Sequence, residues 1–226
     1  AVLATGDLVD SGDAGEYARL KELLGRLEKP FYLIPGNHDH RDNLRRSFPD
    51  HGYLPPAGFL HYTLENWPVR FIALDTLIVG KMGGEICGER LKWLEQRLDE
   101  APNRPTVIFM HHPPFKIHHP LMDLIPLEDG DGFGDFLEGH NVRHIFFGHA
   151  HRTISGQWRG ISYSALPGLN HQLPLTGGSV STVYSEEPAM YSVVHLKGRQ
   201  VTVHSDAFMH RVPAQMAEDA ERGGWS

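Results

Sequence analysis

Four apolar runs in this chain lead directly into ligand-type side chains. "AVLATGD" ends on Asp7, "FYLIPGNHDH" on Asn37, His38 and Asp39, "TVIFMHH" on His111 and His112, and "VRHIFFGHAH" on His149 and His151. A short, continuous apolar run of this kind reads as a strand covered on both faces. Helical patterns separate the runs. Tyr17, Leu20, Leu24 and Leu27 recur at helical spacing behind Asp13, a candidate cap, and Leu91, Leu94 and Leu98 share one face of a second helix. Strands alternating with helices imply an α/β fold with a largely parallel sheet. In such sheets ligands bind beyond the carboxyl ends of the strands. A turn alone explains Pro35 and Gly36. It does not explain Asp, Asn or His at four strand ends, which converge on one edge as a site.

The later part of the chain reads differently. "FLHYTLENWPVRFIALDT" is two strands joined by a turn at Asn66 to Pro68, and from about Thr153 the pattern becomes hairpins, "TISGQWRGISYSAL" and "YSVVHLKGRQVTVHS". A Gly- and Ser-rich loop, Thr176 to Glu187, lies between those hairpins. No repeat or linker interrupts the chain, so residues 1–226 are taken as one domain.

Composition excludes several classes. With 226 residues and a formal net charge of −7, the chain has no basic surface for nucleic-acid polymers. No apolar run approaches membrane-spanning length. Cys87 is the only cysteine, so the site is not built on thiolates and a reducing cytoplasm fits. Sixteen histidines raise the expectation of a metal site. His51, His61, His140, His144, His195, His204 and His210 stand singly in loops or strand-like runs and read as structural.

Carboxylate, amide oxygen and imidazole nitrogen suit Mn, Fe, Zn or Co. Asp7 can bridge two divalent ions, with Asn37, His111 and His149 as further ligands. Ions so held acidify water and polarise a phosphoryl oxygen, and two of them about 4 Å apart stabilise both oxygens of an in-line displacement. His38, next to a ligand, is placed beside the metals, where it can contact phosphate or protonate a leaving alkoxide. Asp39 is expected to hold its ring. His149 and His151 alternate, so on an extended segment both face the metals. His112 should point away from His111.

In this order, "GDLVD", "GNHD", "MHHPP" and "GHAH" resemble the calcineurin-like metallophosphoesterases. "YLIPGNHDH", "IFMHHPP", "MDLIPLEDG" and "IFFGHAH" look most like the bacterial glycerophosphodiesterase and class III cyclic-nucleotide phosphodiesterase branch. The resemblance implies a four-layer αββα sandwich of two sheets flanked by helices. It implies that Asp7 bridges two metals, that Asn37, His111 and His149 complete one, and that His151 belongs to the other. His38 matches the family's substrate-contacting histidine, Asp39 its support, and His171, after the "LPG" turn, a substrate-pocket histidine. The family pattern also opens on a strand bearing an Asp-x-His motif, which does not precede Asp7 here. The expectation is therefore a fold whose first strand and helix are missing, with one metal firmly held and the other keeping only Asp7 and His151. A shortened chain, a natural variant or a segment from a partner chain would each account for that. His40, His118 or His119 are considered as substitute ligands.

These readings point to metal-dependent hydrolysis of small phosphodiesters, either glycerophosphodiesters or 3′,5′-cyclic nucleotides, by a metal-bound hydroxide. The alternative is a non-catalytic scaffold of the same fold, or an inactive fragment with a half-complete metal site. A homo-oligomer is expected, with about 170–190 serving as a substrate cap or oligomer loop.

Overall fold

The computed structural model describes residues 1–175, 184–198 and 200–207. The first part of the Gly- and Ser-rich loop, 176–183, and His210 lie outside the described residues.

The chain enters as strand β1 (Val2–Ala4), helix α1 (Ala14–Leu24), strand β2 (Phe31–Leu33) and helix α2 (Arg41–Ser47). β1 and β2 pair in parallel. Asp13 caps α1 as expected and forms a reciprocal capping box with Glu16. The helix ends before Leu27, which is exposed.

Next come β3 (Tyr62–Leu64) and β4 (Arg70–Leu74), then β5 (Gly84–Glu85), α3 (Gly88–Asp99), β6 (Thr106–Met110), β7 (Leu127–Glu128), α4 (Gly130–Leu137) and β8 (Val142–Phe147). The hairpins β9 (Ile154–Trp158) with β10 (Ile161–Ala165), and β11 (Tyr191–Lys197) with β12 (Gln200–Asp206), close the described chain. The main sheet has six strands in the order β3-β4-β6-β8-β10-β9. Its four inner strands run parallel and its two edge strands antiparallel.

Strand alternation sorts this sheet's side chains into two cores. Ile72, Leu74, Ile108, Met110, Ile145 and Phe147 pack with Leu94 and Leu98 of α3 and Phe133 and Leu137 of α4. Phe71, Ala73, Val107 and Phe109 face the other way, toward Leu33 and Ile34 with Tyr17 of α1 and Leu44 of α2. Burying each such leucine, isoleucine or phenylalanine contributes about 1.5–3 kcal/mol relative to leaving it exposed. β4 and β6 are buried along their whole length, as continuous apolar runs require. Helices α3 and α4 pack on one face of the six-stranded sheet, the β1–β2 pair with α1 and α2 packs on the other, and the carboxyl ends of β1, β2, β6 and β8 open on a common edge.

Candidate metal centre

The strand ends meet as the sequence implied. After β6, the His111 ring is 1% exposed; its Nδ1 lies 2.7 Å from the Thr5 carbonyl beyond β1. A carbonyl oxygen only accepts, so Nδ1 carries the proton. The other nitrogen, Nε2, points at two acceptors, Asn37 Oδ1 at 3.1 Å and Asp7 Oδ2 at 3.2 Å. Three lone-pair-bearing atoms from three strand ends therefore converge. A cation relieves that convergence, or a second proton on His111 does. Burial works against the charged ring. Asp7's carboxylate and the Thr5 carbonyl nonetheless raise its pKa above the usual range. Burial likewise opposes ionisation of Asp7, but His111 and the His38 amide, which donates to Oδ1 at 3.0 Å, hold it well below the usual carboxylate range.

The same proton arrangement recurs around the edge. His149, 6% exposed, sets Nε2 3.1 Å from the Ile125 carbonyl. His151 Nδ1 lies 2.9 Å from the His171 carbonyl, and His38 Nδ1 lies 2.6 Å from the Asp10 carbonyl. Each backbone acceptor fixes a tautomer and leaves the opposite nitrogen as a free lone pair, as metal-binding histidines require. Burial pushes His149 down to about 3, which keeps its ring neutral and able to ligate.

His111, His112 and His149 form a buried group whose ligand atoms lie within 4.8 Å of one another. His112 is the least available of the three. Its Nδ1 meets the Thr76 hydroxyl at 2.7 Å and its Nε2 the Met82 carbonyl at 3.1 Å. Both nitrogens are committed, yet the ring packs against His111 and His149, with centroids 4.8 and 4.6 Å away, rather than pointing away from them as the sequence suggested.

Two readings of local geometry change. His149 and His151 are not on an extended segment; their φ angles are 61° and 48°, and Asp7 is at 51°. Left-handed backbone at three non-glycine positions costs of order 1 kcal/mol or more each and persists where surrounding packing enforces it. His151 faces its ring onto His171, with centroids 4.5 Å apart, and His171 meets Tyr184 edge-on.

Asp39 does not hold the His38 ring. Its carboxylate accepts from the Leu8 amide at 3.1 Å, the Gly36 amide at 2.8 Å and the Tyr17 hydroxyl at 2.7 Å. A carboxylate in a turn finds the turn's own amides before a neighbouring side chain, so Asp39 ties the β1 and β2 loops together. Burial raises its pKa to about 6, against the pull of those three donors. The orienting partner of His38 is the Asp10 carbonyl.

Among the substitute ligands considered, His40 caps α2, accepting from the Asn43 amide, and His119 turns to the Pro174 carbonyl at 3.3 Å. Neither these two nor His118 joins the histidine group.

Sequence reasoning missed a second, supporting set. Asp75, just past β4, accepts Arg41 Nε at 2.6 Å and Arg41 Nη2 at 2.8 Å, with the Leu60 and Leu77 amides. Arg41 and Arg90 both lie over the Phe59 ring. An arginine directly after "GNHDH" and an aspartate closing an apolar run were the available signals.

Carboxylate, amide and imidazole side chains thus gather at the carboxyl ends of parallel strands from two sheets. The chain belongs to the calcineurin-like phosphoesterase family, whose model matches residues 1–153. Divalent metal ions are the cofactors that this family implies. The chain is 38% identical over 176 residues to a probable glycerophosphodiester phosphodiesterase of Arcobacter nitrofigilis, a match covering 77% of this chain and 64% of that protein. It thus spans just under two thirds of that relative's length. A probable cyclic nucleotide phosphodiesterase of Rhodopseudomonas palustris is 33% identical over 97% of this chain and 81% of its own length. A solved dimetal phosphatase from Danio rerio superposes with a TM-score of 0.58, covering 74% of this chain and 72% of its own; at 17% identity it shows the fold alone. No helix among the described residues is long and apolar enough to cross a membrane.

Proposed function

We propose that this chain is a metal-dependent phosphodiesterase acting on small diesters, glycerophosphodiesters or 3′,5′-cyclic nucleotides. The observation that carries the reading is the convergence of Asp7 Oδ2, Asn37 Oδ1 and His111 Nε2, with the His111 proton already held by the Thr5 carbonyl. When bound, divalent ions supply an acidified water and neutralise charge on the phosphoryl oxygens. Asp7, Asn37, His111 and His149 would hold one ion, and His151 with Asp7 would serve a second. Mn, Fe, Zn and Co all suit this donor set.

The chain's own residues do the rest. His38 keeps its Nδ1 proton on the Asp10 carbonyl and turns Nε2 to the site's open side; with a second proton on Nε2 the ring would donate to a phosphate oxygen or protonate the departing alkoxide. Asp39 is a positioning residue, clamping the loops that carry Asp7 and Asn37. His171, stacked on His151, forms the wall against which the diester's alcohol rests. We take 1–226 as one such domain, with about 170–190 as a substrate cap or oligomer loop, in a cytoplasmic homo-oligomer. Both relatives reported above carry phosphodiesterase names, one for glycerophosphodiesters and one for cyclic nucleotides.

Competition assays separate the two substrate classes. With an aryl phosphodiester as reporter, the natural class should inhibit competitively at lower concentration than the other, and His171→Ala should erase the difference. Equal, weak inhibition by both, unchanged in the variant, would refute His171 as a substrate contact.

A further inference from the structure

Three residues back from the end of β8 at Phe147, roughly 10 Å by strand rise, a polar cavity opens. It holds about 260 Å³ and is lined by Val142, Arg143, His144, Gly160, Ser162 and Val201. It therefore lies between the first half of β8, the β9–β10 turn and β12, and shares no residue with the metal centre.

The strand is irregular at this point. Thr106 pairs with Val142 and Val107 with His144, so Arg143 is an extra residue, a bulge in the β6–β8 ladder. Bulges re-aim side chains. Arg143 Nε is buried with no hydrogen-bond partner among the described residues. His144 is 4% exposed; its Nε2 contacts Ser164 Oγ at 3.1 Å, while its Nδ1 is buried without a partner. When the Ser164 hydroxyl donates to Nε2, the ring proton sits on Nδ1 as an unused donor. A buried donor left unmade costs about 1–3 kcal/mol. No carboxylate lines the cavity, and burial pushes His144 down to about 4, so the lining carries the single positive charge of Arg143 at neutral pH.

We propose that this cavity binds a small tetrahedral oxyanion of the phosphate class, with the Arg143 guanidinium and the Ser162 hydroxyl as its donors beside the His144 ring. Guanidinium offers a planar fork that matches phosphate oxygens. Ser162 adds a hydroxyl from β10, opposite His144 in the ladder. The proposal is independent of the metal-centre reading.

The test follows the His144 ring nitrogens by NMR in the full zinc-loaded chain. Inorganic phosphate is titrated against chloride and against acetate at matched ionic strength. A saturable shift with phosphate is expected. Arg143→Gln should weaken it by about tenfold or more, the loss expected for a charge-assisted hydrogen bond. Ser162→Ala, at an exposed position that leaves the sheet intact, should weaken it severalfold and carries the comparison if Arg143→Gln does not fold. Asn37→Ala should leave it unchanged, which separates this cavity from anion binding at the metals. No saturable shift at His144, an equal shift with acetate, or full binding in Arg143→Gln and Ser162→Ala would overturn the proposal.

Discussion

Removing the Asp75 carboxylate should loosen the loop that carries Asn37 and His38. Asp75 is fully buried and accepts four hydrogen bonds, two from Arg41 and one each from the Leu60 and Leu77 amides. Arg41 opens α2, directly behind the "GNHDH" turn, and its side chain is only 15% exposed. In Asp75→Ala the guanidinium keeps the Leu77 carbonyl at 2.5 Å but loses its counter-charge, and two buried amides lose their acceptor. Breaking a buried pair by deleting one partner costs about 3–5 kcal/mol. Orphaned amides add to that, less whatever water enters. A loss of about 4 kcal/mol is expected, or a fall in thermal midpoint of about 8–16 °C for a chain of this size. Urea unfolding of Asp75→Ala, Arg41→Met and the double variant reads it directly. Removing both partners should cost less than the sum of the singles, by about 1 kcal/mol or more. Additive losses, or a single loss under about 1 kcal/mol, within the usual range for side chains free of such contacts, would refute the buried pair as the brace of this loop.

Two further outcomes follow from the geometry. A methyl group in Gly36→Ala would overlap Asp7 Oδ1 and sit 2.7 Å from His111 Cε1, so metal affinity measured by calorimetry should fall sharply while the sheet cores stay intact. In phosphate-free buffer, stability should decline as pH falls from the unfolded histidine value near 6.5 toward 4. The unfolded chain then binds a proton that buried His144 refuses. In His144→Gln the urea midpoint should fall less steeply over that window, and an identical slope would contradict the assignment.

The sequence revealed the parts of this molecule where chemistry and periodicity coincide. β4 and β6 are apolar after their opening Arg70 and Thr106, and Asp, Asn and His side chains stand past the ends of β1, β2, β6 and β8, so the fold class and the meeting of those side chains were legible. What was not legible is geometry set by tertiary contact. Nothing in "GHAH" indicates left-handed backbone at His149 and His151, because neither is glycine. α2 presents a single buried apolar residue, Leu44, and α4, "GDGFGDFL", hides its helix behind three glycines. β5 and β7 have two residues each, too few to show a period. Asp39 was assigned to its neighbour's ring because adjacency in sequence suggested it. Its amide partners at Leu8 and Gly36, and Tyr17 on α1, appear only once the two loops meet.

The most direct measurement is hydrolysis of an aryl phosphodiester by this chain, with Mn(II) and with chelator, for wild type and for Asn37→Ala. Metal-dependent turnover in the wild type, abolished by chelator and largely lost in Asn37→Ala, is the expected result. No turnover with any divalent metal would contradict catalysis by this chain and leave a metal-binding scaffold of the same fold.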